Sequence, residues 1–292
     1  MSSRPRVTSQ GLTEIVANRP LLLVGCGNMG AALLRGWLEA GLDAGSVHSV
    51  DPISDPLVPH KLAGVHRDPG VFFEEMQRLS GAPRVVVLAV KPQFMPQVLE
   101  DYRGKLPSDC LVLSIAAGLG SEFYREVFGA EQPLVRMMPN TPASVGLGAS
   151  LLFDAGHTSA QDLDLAGALA SAVGRHAWVD EEAKIDSLTG VTGSGPAYVF
   201  LLIEALMAAA VDQGMAEQDA QAMATQVVLG AAQLASQDAA TPPAQHRINV
   251  TSPGGVTQAA LDVLMKSPGG MVESMVEACR AGTARAVELG KG

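Results

Sequence analysis

Cysteine is scarce in this 292-residue chain: Cys26, Cys110 and Cys279 stand far apart and odd in number. They show neither the spacing of metal ligands nor that of a disulfide framework, so a reducing, cytoplasmic setting is the expectation. Positive charge is the minority sign. Twenty Lys and Arg face thirty Asp and Glu, a formal net charge of −10, and no basic stripe exists to neutralise phosphates. That excludes a nucleic-acid partner. Charged residues of both signs amount to 17% against 47% hydrophobic, the balance of a packed globular protein rather than a disordered one. Long apolar runs are missing as well. The stretch 1–20 carries Arg4 and Arg6 but no continuous apolar segment, and is expected to be a short extension rather than a secretory signal. The most apolar helix, 197–211, is broken by Glu204 and is expected to be too short to span a bilayer. No membrane association is expected. Repeats, heptad arrays and low-complexity tracts are also lacking.

What is present is organised around Leu21 to Gly41. Leu21–Val24 is a short apolar run after Pro20, suited to a strand buried on both faces. Gly25, Gly27 and Gly30 follow in the pattern G-x-G-x-x-G, with Asn28 and Met29 inside it. A helical segment then runs from Ala31 to a stop at Gly41. In this geometry the first glycine permits a tight turn, the second lets a pyrophosphate approach the backbone, and the third lets helix and strand pack closely. The helix N-terminus attracts the phosphates. An acidic residue, Asp51, falls 21 positions after Gly30, where a ribose hydroxyl is read. Strand, glycines, helix and acid together point to a dinucleotide.

Along the chain, β-like runs alternate with helical stretches as far as Val179, the pattern of a parallel sheet covered by helices. Strands are expected at 47–51, 84–92, 110–118, 133–138, 149–153 and 176–179, with helices at 72–79 and 162–173. From Asp180 only long Ala-rich helices are expected, at 196–214, 217–235, 252–265 and 271–288. The helix 196–214 is apolar round most of its circumference and should be buried on all sides, which in so small a domain requires a second subunit. The fold class is therefore α/β, an N-terminal Rossmann-like doubly wound sheet followed by an all-α region. Methionine, twelve residues, is read as core filler.

A second constellation is Ser252-Pro-Gly-Gly-Val-Thr257. With Ser252 as cap and Pro253 at the first helical position, Gly254 and Gly255 are expected in the first turn and Thr257 in the second. Glycine is normally avoided there. Its presence leaves bare N–H groups on which a carboxylate can sit.

These residues, with Gly193-Ser-Gly-Pro-Ala-Tyr198, Ala89-Val-Lys-Pro-Gln93, Ser114-Ile-Ala-Ala-Gly118 and Met138-Pro-Asn-Thr-Pro142, resemble the signatures of the pyrroline-5-carboxylate reductases, in order and spacing, from about Leu21 to Leu289. The resemblance implies an NAD(P)H-binding domain at 21–179 and an α-helical substrate-binding and dimerisation domain at 180–292. It also implies a homodimer, often built into larger rings, and reduction of 1-pyrroline-5-carboxylate to L-proline, the last step of proline biosynthesis. Carried over by residue, Thr257 is the hydroxyl donor near the imine nitrogen and the catalytic candidate. Ser252, Gly254, Gly255 and Val256 form the carboxylate cradle, with Glu182 lining the same pocket. Asn249 matches a pocket position and is grouped with the cofactor contacts. The remaining cofactor contacts are Gly25, Gly27, Asn28, Met29, Gly30, Asp51, Ala89, Val90, Lys91, Pro92, Ala116, Ala117, Gly118 and Asn140.

Hydride transfer to an iminium carbon needs close alignment and a donor for the nitrogen rather than covalent help. No metal is expected, and the six histidines read as ordinary surface or core residues. Two departures from the family pattern stand out. Residues 239–243 read Ala-Ala-Thr-Pro-Pro where many members carry an acid, and Asp51-Pro52 replaces the Asn or Ser and Arg of NADPH-preferring members. A carboxylate at 51 repels a 2′-phosphate, so the expectation leans toward NADH over NADPH, with Lys61 and Arg67 close enough in sequence to reverse it. The β-hydroxyacid dehydrogenases are the rival enzymes; they need a lysine shortly after the Gly-rich turn, and Pro-Ala-Tyr-Val-Phe-Leu follows Gly195 instead. A non-catalytic dinucleotide-binding dimer is the other rival, and the intact 252–257 run speaks against it.

Overall fold

A computed structural model describes Val16 and residues 19–55, 61–79 and 81–289. The expectation for residues 1–20 lies almost wholly outside the described residues. The chain forms two compact units: one comprises residues up to Gly193 together with those from Gly282 onward, the other Ser194–Ala281.

The first unit is built on an eight-stranded sheet in the order β3-β2-β1-β4-β5-β6-β7-β8. The strands are β1 (Leu21–Val24), β2 (Val47–Val50), β3 (Gly64–His66), β4 (Val85–Leu88), β5 (Leu111–Ser114), β6 (Leu134–Met138), β7 (Gly148–Asp154) and β8 (Gly174–Val179). Every neighbouring pair is parallel except β6 with β7. Strands buried on both faces read as unbroken Val/Leu runs because each side chain enters one of two cores. Leu21 and Leu23 of β1 join Leu33, Leu34 and Trp37 on one face. Leu22 and Val24 join Phe72, Met76, Met95 and Tyr124 on the other. Each fully buried Leu contributes roughly 1.5–3 kcal/mol. Trp37, completely buried, spends its one polar atom on Leu169 O at 2.9 Å.

Helices α1 (Asn28–Glu39), α2 (Pro69–Arg78), α3 (Met95–Glu100), α4 (Ser121–Phe128) and α5 (Ala160–Ala172) connect the strands, and α6 (Ala183–Ser187) and α7 (Thr189–Thr192) close the unit before Gly193. The sequence starts the second helix at Phe72; the structure starts it three residues earlier, where Asp68 caps Gly70 N–H at 2.6 Å and Pro69 takes the first position. β3 has no counterpart in the sequence reading. Its three residues, Gly-Val-His, carry no apolar run, and they pair only because β2 offers an open edge.

The second unit is helical: α8 (Gly195–Asp212), α9 (Glu217–Gln237), α10 (Pro243–Asn249), α11 (Val256–Leu264) and most of α12 (Met271–Leu289). The expected burial of α8 is absent within one chain, where none of its residues is buried and Phe200 and Leu201 are 59% and 63% exposed. The expectation that this region is too short for a membrane span also changes, because the helical run continues back to Ala183. At 30 residues it is long and apolar enough to cross a membrane by length and composition.

Candidate active site

The glycine-rich loop follows from contacts at three positions. Gly25 has φ +96°, a region L side chains rarely adopt, and a Cβ there would lie 2.7 Å from Ala89 O. A Cβ on Gly30 would collide with Gly25 O and stand 3.2 Å from the Ala89 methyl, so this glycine lets α1 close on the sheet. Gly27 differs. It is the N-cap of α1, and a Cβ there would meet nothing within 4 Å. Its lack of a side chain is not needed for packing; it leaves open the backbone in front of the helix N-terminus. That is the fit a pyrophosphate requires, with the first-turn N–H groups of α1 lacking intrahelical acceptors. Asn28 is exposed and Met29 half-buried beside them.

Asp51, directly after β2, holds this loop from the neighbouring strand. Its Oδ2 accepts Cys26 N–H at 2.6 Å, while Oδ1 accepts Ile53 N–H at 2.8 Å and Ser54 N–H at 2.6 Å. Arg67 donates to Asp51 O at 3.2 Å and pairs with Asp55 at 2.8 Å. Burial, then the Asp51 carboxylate, pushes the Cys26 thiol up to about 11.

The other expected cofactor residues of this unit also lie at the carboxyl ends of strands, where doubly wound sheets bind ligands; Asn249 does not, being on a helix of the second unit. Ala89 and Val90 leave β4 half-buried, Lys91 is exposed at the cap of a short 3₁₀ turn, and Pro92 opens that turn. Ala116, Ala117 and Gly118 leave β5, with Gly118 at φ +75°. The 114–121 loop is tied at both ends. Ser114 Oγ bonds Tyr124 Oη at 2.5 Å and accepts Ala116 N–H at 3.3 Å. At the far end Ser121 donates its N–H and its hydroxyl to Glu182, at 2.7 and 2.8 Å. Asn140 spends its side chain internally, accepting Ala149 N–H at 2.9 Å and donating to Thr192 O at 2.9 Å.

Glu182 is thus fixed at the N-terminus of α4 and is also bonded to Arg136 at 3.0 Å, whose guanidinium is 2% exposed and reaches Asp186 at 3.4 Å. Sequence reasoning missed Arg136. Its signal was a lone cation inside the apolar strand 133–138, which demands a buried anionic partner.

In the second unit the 252–257 segment differs from its expected form. Pro253, Gly254 and Gly255 are not in a helical first turn. Ser252 O accepts Gly255 N–H at 3.0 Å in a tight turn, Gly254 takes φ +68°, and Gly255 is the N-cap of α11. The left-handed residue stops the helix from extending backwards. Thr257 therefore sits in the first turn, not the second, and Val256, Thr257 and Gln258 present N–H groups without intrahelical acceptors. No side chain caps this end. Val256 is 90% exposed and Thr257 exposed. Asn249 closes α10, its Oδ1 accepting from Gln245 at 2.8 Å.

Comparison with known proteins agrees with both halves. Residues 182–289 match the family model for pyrroline-5-carboxylate reductase dimerisation, and residues 21–118 match that for NADP oxidoreductase coenzyme F420-dependent. A pyrroline-5-carboxylate reductase of Pseudomonas aeruginosa is 38% identical over 270 residues, 92% of this chain and 96% of the relative. The solved structure of the Coxiella burnetii pyrroline-5-carboxylate reductase superposes with a TM-score of 0.82 at 33% identity, covering 93% of this chain and 98% of that one. A Plasmodium falciparum pyrroline carboxylate reductase with NADP bound gives 0.78 at 27% identity, covering 94% and 98%.

Proposed function

The chain belongs to the pyrroline-5-carboxylate reductase family, and on that premise we propose that it reduces 1-pyrroline-5-carboxylate to L-proline. A nicotinamide dinucleotide, when bound, supplies the hydride. The observation that carries this reading is the intact pair of anion cradles, one at Gly27 before α1 and one at Gly255 before α11.

The residues divide the work as follows. Gly25, Gly27, Asn28, Met29 and Gly30 receive the pyrophosphate on bare backbone. Ala89–Pro92, Ala116–Gly118 and Asn140 line the rest of the dinucleotide, and Asn249 is a further cofactor contact by its resemblance to the family. Ser252, Gly254, Gly255 and Val256 hold the substrate carboxylate at the tip of α11, and Glu182, braced by Ser121 and Arg136, is a further substrate contact by its resemblance to the family. Thr257, in the first turn, donates its hydroxyl to the ring nitrogen. Alignment of two bound reactants is the main source of rate, so a site with one hydroxyl donor and no nucleophile suffices. Asp51 supports a preference for NADH, since its carboxylate keeps room to accept from a ribose 2′-hydroxyl and repels a phosphate there.

The exposed apolar surface of α8 supports a homodimer as the working form, and a ring of dimers extends the same reading. Packing of α8 against a mate would cover this apolar surface, which supports a cytoplasmic enzyme.

The test is oxidation of NADH and of NADPH followed at varied 1-pyrroline-5-carboxylate. Substrate-dependent turnover with a higher kcat/KM for NADH is expected. A clear NADPH preference removes the assignment of Asp51, and no turnover with either cofactor removes the function.

A further inference from the structure

Two histidines read from the sequence as ordinary residues lie side by side in the first unit. His48 on β2 and His66 on β3 are 4% and 7% exposed, with His48 Nδ1 and His66 Nε2 3.1 Å apart. Strand pairing brings them together, since His48 stands opposite Gly64 and Val50 opposite His66. Glu75, on α2, places Oε2 3.6 Å from the same His66 nitrogen. All three ligand atoms lie within 4.8 Å of one another.

We propose that His48, His66 and Glu75 form a binding site for one divalent transition-metal ion of the zinc class. Two imidazole nitrogens and one carboxylate oxygen are the donor set such an ion takes, and three protein ligands leave a fourth position for water. Metal–nitrogen bonds of about 2.0–2.1 Å at a tetrahedral angle put the two nitrogens about 3.3 Å apart, so the rings need part by only a few tenths of an ångström. The surroundings are shaped for this. Residue 64 is glycine, and a Cβ there would collide with both ligand nitrogens. The Phe72 ring stands edge-on to both imidazoles, 5.3 and 5.8 Å between centroids, and walls the cluster with apolar surface. The ion would staple three elements at the sheet edge: β2, the three-residue strand β3 and α2. Arg67, directly after His66, would be steadied by the same bond, together with the Asp51 main chain that pairs with His66 O at 3.1 Å.

The experiment uses full-length protein stripped with EDTA and titrated with Co²⁺, read by visible d–d absorption and by mass-spectrometric metal content after dialysis. One equivalent per chain is expected in wild type, with at least tenfold weaker binding in Glu75→Gln and in His48→Gln. Glu75 is partly exposed on a surface helix, so its variant keeps the fold, verified by circular dichroism. Zn²⁺ should raise the thermal midpoint of wild type and leave both variants unmoved. Substoichiometric cobalt, or equal binding by wild type and Glu75→Gln, overturns the proposal.

Discussion

The Asp51 carboxylate accepts the main-chain N–H of Cys26 at 2.6 Å, so the acid at the end of β2 is a brace for the glycine-rich loop. Its other oxygen gathers Ile53 and Ser54 N–H groups, which fixes the chain leaving the strand. Asp51→Ala strips both. The KM for NADH should rise about tenfold, equivalent to ~1.4 kcal/mol, and the gap between NADH and NADPH should close. Steady-state kinetics with both cofactors checks this; an unchanged KM for NADH would show the brace to be idle.

Gly25 and Gly27 should separate in their effects. Gly25→Ala forces a side chain into a positive-φ position against Ala89 O and should lower the melting temperature sharply. Gly27→Ala meets empty space, so its stability cost should stay below about 1 kcal/mol while dinucleotide affinity falls. Thermal melts paired with fluorescence titration of NADH distinguish the two; equal melting losses would contradict the packing argument.

Thr257→Ala should slow turnover by roughly 10²-fold while the dissociation constant for NADH stays put, since the hydroxyl donor to the ring nitrogen is lost and no residue assigned to the cofactor is changed. Thr257→Ser, which keeps the hydroxyl, should recover most of the rate. A Thr257→Ala enzyme as fast as wild type takes this residue out of the chemistry.

The Cys26 thiol is raised to about 11, first by burial and then by Asp51, so at pH 8 roughly one part in a thousand is thiolate. Alkylation by iodoacetamide should be slow at pH 8 and accelerate as pH climbs toward 11. Rates measured by peptide mass spectrometry decide it. Rapid labelling of Cys26 at pH 8 would mean that the thiol is ionised after all.

Leu201 lies on α8 and is 63% exposed in the single chain. Leu201→Glu puts a charge where a mate's apolar surface is expected and should shift the protein toward monomer in light scattering. A native-sized oligomer for this variant would place the interface elsewhere.

The parts of this molecule legible in the sequence are those whose causes are local. Leu21–Val24, the three glycines and Gly41 announce a strand, a loop and a helix because each residue satisfies a backbone need within a few positions. Partners set by the sheet were hidden. Nothing near Arg136 in sequence announces Glu182, 46 positions later, and β3 exists only beside β2. His48 and His66 looked scattered because 18 residues separate them until pairing closes the distance. At Ser252–Gly255 the cap residues were recognisable but the turn was not: Pro253 suits a first helical position, and it was the left-handed Gly254 that moved the helix start to Val256.

The last helix has one more effect on the chain. Thr283 donates its hydroxyl to Ser187 O at 2.8 Å, so the polypeptide leaves the sheet-containing unit after Gly193 and returns to it at Gly282. The helical segment between is therefore a closed excursion, tethered at both ends. A protease nick inside it should leave two fragments that still travel together through a sizing column, whereas deleting the final turns would free one end of the excursion and expose it to digestion from there.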